Sequence, residues 1–407
     1  MEGGEEIPAR YSLELAVEKV YSQWLAGDIP AAIETAELAL GQKERWENRQ
    51  AAERLFRYRI VLYFLRGNYS AAQEFYEQIL NSCNGNEDIL EQGSIPLYMA
   101  CVYREWGDFL KALDMLKHSV ERKQRVGFAE DLHLIYFNIA VTLLGYGDLQ
   151  EIDYYCRLAQ DAFKQTGGQL AYYEMMLKAF HIVIVAYFKG EASPEAESLM
   201  KQTIINLKPE SRYLLVYISP YFVLYYIKYK QYQKADKLLK LAIPIGESTG
   251  IKLQLSMLYG LKSVISNEYG NKKGMIVFAG QGLKLAAAER YERFFLIFPE
   301  LLPCLETAVV NEIEQEFVER IISRLGVRAV PLLLKLLRHP DSQVRGKAVK
   351  LFKFNNNRPR QEIELLFFDP DKLVREAGFG LLQGMLMKGE QTRIKLFIRC
   401  LGNFEVL

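Results

Sequence analysis

Few residues in this chain are spaced for catalysis. Its four histidines are scattered, with no H-E-x-x-H and no pair at metal-ligand spacing, and its five cysteines, Cys83, Cys101, Cys156, Cys304 and Cys400, form no C-x-x-C. No G-x-x-x-x-G-K-[ST] occurs, and the stretch GNKKGM at 270–275 lacks the strand-to-helix setting that cradles a phosphate, so it reads as a turn. No catalytic residue, no metal ligand and no cofactor site is therefore expected, and the chain does not read as an enzyme. What it does carry is residues suited to gripping. Arg54 and Arg57 lie close together, and arginine pairs hold carboxylates or phosphates through bidentate hydrogen bonds. Tyrosines number 25, and a tyrosine packs its ring while its hydroxyl bonds. Five of them, Tyr213, Tyr217, Tyr221, Tyr225 and Tyr229, recur at every fourth residue. On a helix of about 3.6 residues per turn such a row drifts by about 40° per step. It cannot all face one ligand, so some rings must enter the helical core, with Pro220 placed to kink the row.

The elements that must position these residues are marked by a recurring turn: a glycine closing an apolar helix, then a polar residue, then a bulky apolar one. It reads Gly27-Asp28-Ile29, Gly67-Asn68-Tyr69, Gly107-Asp108-Phe109 and Gly147-Asp148-Leu149, spaced by 40 residues, and continues at Gly190-Glu191, Lys230-Gln231-Tyr232 and Gly270-Asn271. Glycine accepts the left-handed conformation at a helix end, and Pro30 suits the first turn of the next helix. After each turn comes a small or β-branched residue: Ala32, Ala72, Ala112, Ile152, Ala196 (displaced by one) and Ala235. Opposite them in the preceding helices stand Val20, Ile60, Ala100, Ala140, Val183, Val223 and Ser263. Small side chains at these places let the two helices of a hairpin cross closely. A fixed period of this length marks a row of stacked helical hairpins.

The remaining composition narrows the class. The chain has 407 residues, half hydrophobic and a quarter charged, with a net charge of +1, so no overall basic field points to nucleic acid. No apolar run is long and uninterrupted enough to span a bilayer. With an odd number of cysteines and no secretory signal at the N-terminus, a reducing cytoplasm is the expected location. Residues 1–11 read as a loose, disordered start or the trace of a cut end. Residues 291–328, with Pro299 and Pro303 and then one amphipathic helix ending at Gly326, read as a cap on the last hairpin. In 329–390 a shorter repeat appears, Asp341, Val344 and Arg345 returning as Asp371, Val374 and Arg375, 30 residues later, with NNNRPRQ at 355–361 between them. The tail RIKLFIRCLGNFEVL is the one alternating stretch and reads as a short hairpin of strands.

Residues 12–290 resemble tetratricopeptide repeats, seven of them, in the lengthened form of about 40 residues found in large bacterial transcription activators of the maltose-regulator type. The family's turn and small-residue positions are those quoted above. Residues 329–390 resemble two HEAT-type hairpins. The tail, with Leu401, Gly402, Phe404 and Val406, resembles the opening strands of winged-helix DNA-binding domains in regulators of the antibiotic-regulatory-protein type, truncated at 407. The resemblance implies an all-α fold: a right-handed superhelical solenoid of tetratricopeptide-like hairpins, a C-terminal HEAT-like pair and a short terminal β segment. Its register implies one residue per repeat facing a concave groove, namely Glu18, Tyr58, Tyr98, Asn138, His181, Tyr221 and Leu261, with Arg54 and Arg57 beside Tyr58. That groove would hold a peptide, a protein or a small-molecule effector, against the plainer reading that the rings pack between helices. The implied function is the sensor and scaffold region of a bacterial transcriptional regulator, relaying binding to a DNA-binding domain beyond residue 407. DNA would be met only through that domain, no membrane is implied, and self-association stays open. The alternative is a protein–protein adaptor with no role on DNA.

Overall fold

The structure, a computed structural model, describes residues 9–26, 28–41, 49–82, 95–126, 131–145, 148–166, 171–206, 213–353, 360–387, 398–401 and 403–406. Gly27, Gly147 and most of the 355–361 linker lie outside the described residues. The chain divides into two compact units, Met1–Phe317 and Val318–Leu407.

The first unit is a helical solenoid built from consecutive hairpins: α1 (Ala9–Leu25) with α2 (Ile29–Leu40), α3 (Arg49–Arg66) with α4 (Tyr69–Ser82), α5 (Ile95–Glu105) with α6 (Phe109–Val126), α7 (Leu132–Leu143) with α8 (Leu149–Gln165), α9 (Ala171–Lys189) with α10 (Pro194–Asn206), α11 (Tyr213–Lys228) with α12 (Tyr232–Thr249), and α13 (Lys252–Glu268) with α14 (Lys272–Glu289). The turn residues act as their chemistry dictates. Gly67, Gly107, Gly190 and Gly270 have positive φ, and where the repeat has Lys230 instead, that lysine is forced to φ 56°. Asp28 and Asp148 cap the helices that follow by accepting from Ala31 N (3.2 Å) and Gln150 N (2.8 Å). The small residues sit where the helices cross. Ala32, Ala72, Ala112, Ile152, Ala196 and Ala235, and opposite them Val20, Ile60, Ala100, Ala140, Val183, Val223 and Ser263, are all 2% exposed or less.

After α14 the chain does two things. The helix α16 (Leu302–Asn311) packs on α13 and α14, covering the end of the last hairpin. Before it, residues 289–298, including α15 (Arg293–Ile297), run inward and meet the far side of the row. The Tyr291 hydroxyl donates to Gly67 O, the Trp106 indole to Glu289 O (2.9 Å), and Glu292 N to Glu105 O (2.8 Å). Tyr217 in α11 donates to Leu65 O (3.3 Å), and Lys252 to Asn68 Oδ1 (2.7 Å). The row therefore bends until its second and third hairpins touch its sixth and seventh. Gly67 is required twice over. Its φ is 81°, and a Cβ there would press on the Tyr291 hydroxyl and come within 3.2 Å of Leu253 N.

The helix α17 (Gln315–Leu325) carries the unit boundary. The second unit continues through α18 (Val330–Leu337), α19 (Ser342–Phe352), α20 (Arg360–Leu365) and α21 (Lys372–Met387), and its strands β1 (Ile398–Leu401) and β2 (Asn403–Val406) pair antiparallel with Cys400 opposite Phe404. The 30-residue echo has a physical basis. Asp341 caps α19 by accepting from Gln343 N, and Asp371 caps α21 by accepting from Leu373 N, both at 2.8 Å. Arg345 donates to the carbonyls of His339 and Pro340, and Arg375 repeats this with Asp369 and Pro370. Among the described residues, no helix is long and apolar enough to cross a membrane.

Candidate functional site

The residues expected along the inner wall meet different fates. Tyr58 is only 6% exposed. It lies between Tyr21 (centroids 6.1 Å, stacked) and Trp24 (5.9 Å, edge-on), because α1 and α3 pack side by side and each brings an aromatic to the seam. Arg57 covers the same ring at 5.4 Å, and Arg54 turns to Glu18 at 3.1 Å with both side chains largely in solvent. His181 is held at both nitrogens, by Gln160 (2.9 Å) and Asp153 (2.7 Å). Leu261 does not face a groove. It is fully enclosed, since α13 is covered by the 3-10 turn Pro299–Leu301 and by α16. Tyr98 is half-buried against Phe64 (5.8 Å), and burial pushes its hydroxyl well above the usual tyrosine range.

The row of tyrosines in α11 splits as helical drift requires. Tyr225 and Tyr229 face the preceding hairpin, with Tyr225 accepting from Ser193 N (2.9 Å) and Tyr229 donating to Ala186 O (2.9 Å). Tyr217 and Tyr221 face across the interior, where Tyr221 packs edge-on against Phe180 (5.0 Å) and Phe298 (6.4 Å).

Asn138 and Tyr221 are brought together, through residues that sequence reasoning missed. Arg104 Nη1 donates to Asn138 Oδ1 (2.7 Å), and its Nε to Glu105 Oε1 (2.9 Å). From the far side Arg293 Nε donates to both Glu105 oxygens (2.8 and 2.9 Å), and its Nη2 to the Tyr221 hydroxyl (3.0 Å). Cys101 Sγ also donates to Asn138 Oδ1 (3.1 Å). Arg104, Glu105 and Arg293 are 5%, 1% and 2% exposed, so this is a charged network inside the solenoid. Asn138 and Tyr221, at its two ends, keep part of their surface in solvent. Burial alone would raise the Glu105 carboxyl, but Arg293 and Arg104 outweigh it and hold its pKa below the ordinary value of 4.5.

A signal for this network does exist in the sequence. Counting back from each turn glycine, Trp24, Phe64 and Leu144 occupy the place of Arg104, and Leu25, Leu65 and Gly145 that of Glu105. Two charges stand where the other repeats are apolar or small. Nothing local marks Arg293 as their partner.

The thiols here are not poised to react. Burial pushes Cys101 up to about 11, and Cys156 and Cys304 up to about 12. Among the described residues no group of three or more histidine, cysteine or acidic side chains could hold a metal ion.

Comparison with known proteins bears on the scaffold. No protein-family model matches the chain, and no curated protein does. Among solved structures, the chain is similar to a Rap protein, crystallised in complex with Competence and Sporulation Factor, with a TM-score of 0.53 and 14% identity over 93% of this chain and 97% of the other. At that identity the likeness shows the fold, a tetratricopeptide-like helical repeat.

Proposed function

We propose that this chain is the ligand-sensing scaffold of a cytoplasmic bacterial transcriptional regulator, and that it binds a peptide or partner protein on the inner wall of its hairpin row. The observation that carries the reading is the charged network joining Asn138 and Tyr221 through Arg104, Glu105 and Arg293. It places polar groups of hairpins far apart in sequence on one enclosed wall. A ligand there would touch both sides of the closure at once. Binding could then shift the solenoid between more and less closed forms, provided the ligand favours one of them. A repeat solenoid offers an extended inner surface for such contacts. The Rap protein of like fold, solved with a bound factor, supports a ligand in such a scaffold. The antiparallel pair β1–β2 agrees with the opening of a winged helix, to which the event would be relayed.

Two measurements test this. A native mass spectrum of the protein taken from its own host should show a co-purifying peptide or protein, and the double variant Asn138→Ala/Tyr221→Phe should lose it while remaining folded. Undiminished retention by that variant would remove the inner wall from consideration. Sequencing beyond codon 407 should reveal a helix–turn–helix with a basic recognition helix. A stop codon there would favour the adaptor.

A further inference from the structure

The network on the inner wall is incomplete in one respect. Arg293 Nη1 is buried and has no hydrogen-bond partner, although the same guanidinium uses Nε and Nη2 fully. A second donor in the same interior is also unmatched: the Tyr69 hydroxyl, on a ring that is 0% exposed. Tyr69 packs edge-on against Tyr291 (5.1 Å), two residues from Arg293 on the same inward-running segment. Buried donors left unmatched are costly, and they are rare enough that each calls for a reason.

The charge is also unbalanced. Arg104 and Arg293 bring two positive charges and Glu105 one negative, which leaves one positive charge on three side chains no more than 5% exposed. The neighbouring acid does not correct this, because Glu292 turns to Arg290 (3.6 Å). Glu289 faces Lys252 (3.7 Å) and accepts from Ser70 N (3.1 Å).

We infer that Arg293 Nη1 and the Tyr69 hydroxyl form a subsite for a carboxylate of the bound peptide, a deepening that rests on the peptide-binding reading above. One surplus positive charge and two free donors match a monoanion with two oxygens. A phosphate, with three free oxygens and up to two charges, would leave acceptors and charge unmet. The bound carboxylate ties α4, which carries Tyr69, to the segment that carries Arg293. It therefore lies across the closure and favours the closed form. The carboxylate belongs either to the peptide's C-terminus or to an Asp or Glu side chain.

Affinity-selection mass spectrometry with three pools of randomised octapeptides tests this on the full chain. One pool has free C-termini and no Asp or Glu, a second is amidated and contains Asp and Glu, and a third is amidated and lacks them. We expect the third to be retained at least ten-fold less than one of the first two, and which of these two is retained identifies the source. Equal retention of all three overturns the subsite while leaving the peptide reading intact. Retention of none overturns both. Tyr69→Phe removes only an unmatched hydroxyl, so the free protein should melt at the same temperature or higher, while the preference for carboxylate falls several-fold. An undiminished preference in Tyr69→Phe overturns the proposal even if Arg293→Lys fails to fold. If Arg293→Lys folds, it should lose the preference too, because it keeps the charge against Glu105 but not the second donor.

Discussion

Arg293 and Arg345 each hold a carboxylate, one in each unit, and their partners lie at very different distances along the chain. Arg345 grips Asp369 with two bonds, at 2.7 and 2.8 Å, across 24 residues. Arg293 grips Glu105 across 188 residues. The first pair joins neighbouring hairpins of a repeat, and deleting one more repeat would leave the logic unchanged. The second pair exists only because the row bends back on itself. A local pair holds a register, whereas a remote pair holds a curvature, and in a repeat protein curvature is the property a ligand can act on.

The sharpest way to break this comparison is Glu105→Gln. It leaves two buried guanidinium groups facing each other without a carboxylate, and removing one member of a buried ionic network costs about 3–5 kcal/mol. Urea unfolding of the first unit should shift accordingly. Replacing the whole network with apolar residues should cost far less, because the charges are no longer stranded. A Glu105→Gln variant as stable as the parent would mean that the closure is held by Tyr291, Trp106 and the backbone contacts alone.

Arg345→Met should cost less, about 1.5–3 kcal/mol, the loss of hydrogen bonds to a charged group in a partly exposed site. The destabilisation should be confined to the second unit, leaving proteolytic protection of the hairpin row unchanged. If the row also loosens, the two units do not unfold independently.

The contrast also explains what could be read in advance. The hairpins were legible because each is specified within its own 40 residues: a glycine or an acidic cap at the turn, and a small residue at the crossing. Arg345 was legible for the same reason, as half of a visible echo. The groove register was harder. Tyr58 faces a seam that Tyr21 and Trp24 fill, and Leu261 is roofed by the chain's own later turn, both results of packing that no single repeat encodes. Arg104 and Glu105 could have been flagged by comparing repeats with one another. Their link to Arg293 depends on bends summed over several hairpins, and a spacing pattern carries no such sum.

Acid should sharpen the comparison further. Glu105 has its pKa depressed, so the stability it contributes is fully present above about 4.5, its value in the unfolded chain, and is lost as pH falls through the lower native value. The hydrogen bonds from Arg345 hold Asp369 below 3.8 in the same way, so its contribution should begin to fade only at lower pH. The gap in stability between the parent and Glu105→Gln should therefore narrow as pH drops below about 4.5. A gap that stays constant down to pH ~3 would show that the Glu105 charge is not what holds the closure.

A third pair completes the series and should matter least to folding. Arg54 and Glu18 are 3.1 Å apart, but their side chains are 42% and 64% exposed. Exposed ion pairs contribute about 0–1 kcal/mol, so Arg54→Ala should barely move the unfolding midpoint. A loss as large as that of Arg345→Met would show that proximity, and not burial, sets the strength of these pairs. The small expected cost has a functional side. An arginine that the fold scarcely needs is free to leave Glu18 for a ligand, and Arg57 beside it already lies over Tyr58. If Arg54→Ala keeps its stability yet retains less peptide, the near end of the row grips as well as the closed interior. If retention is unchanged, recognition rests with the wall between Asn138 and Tyr221.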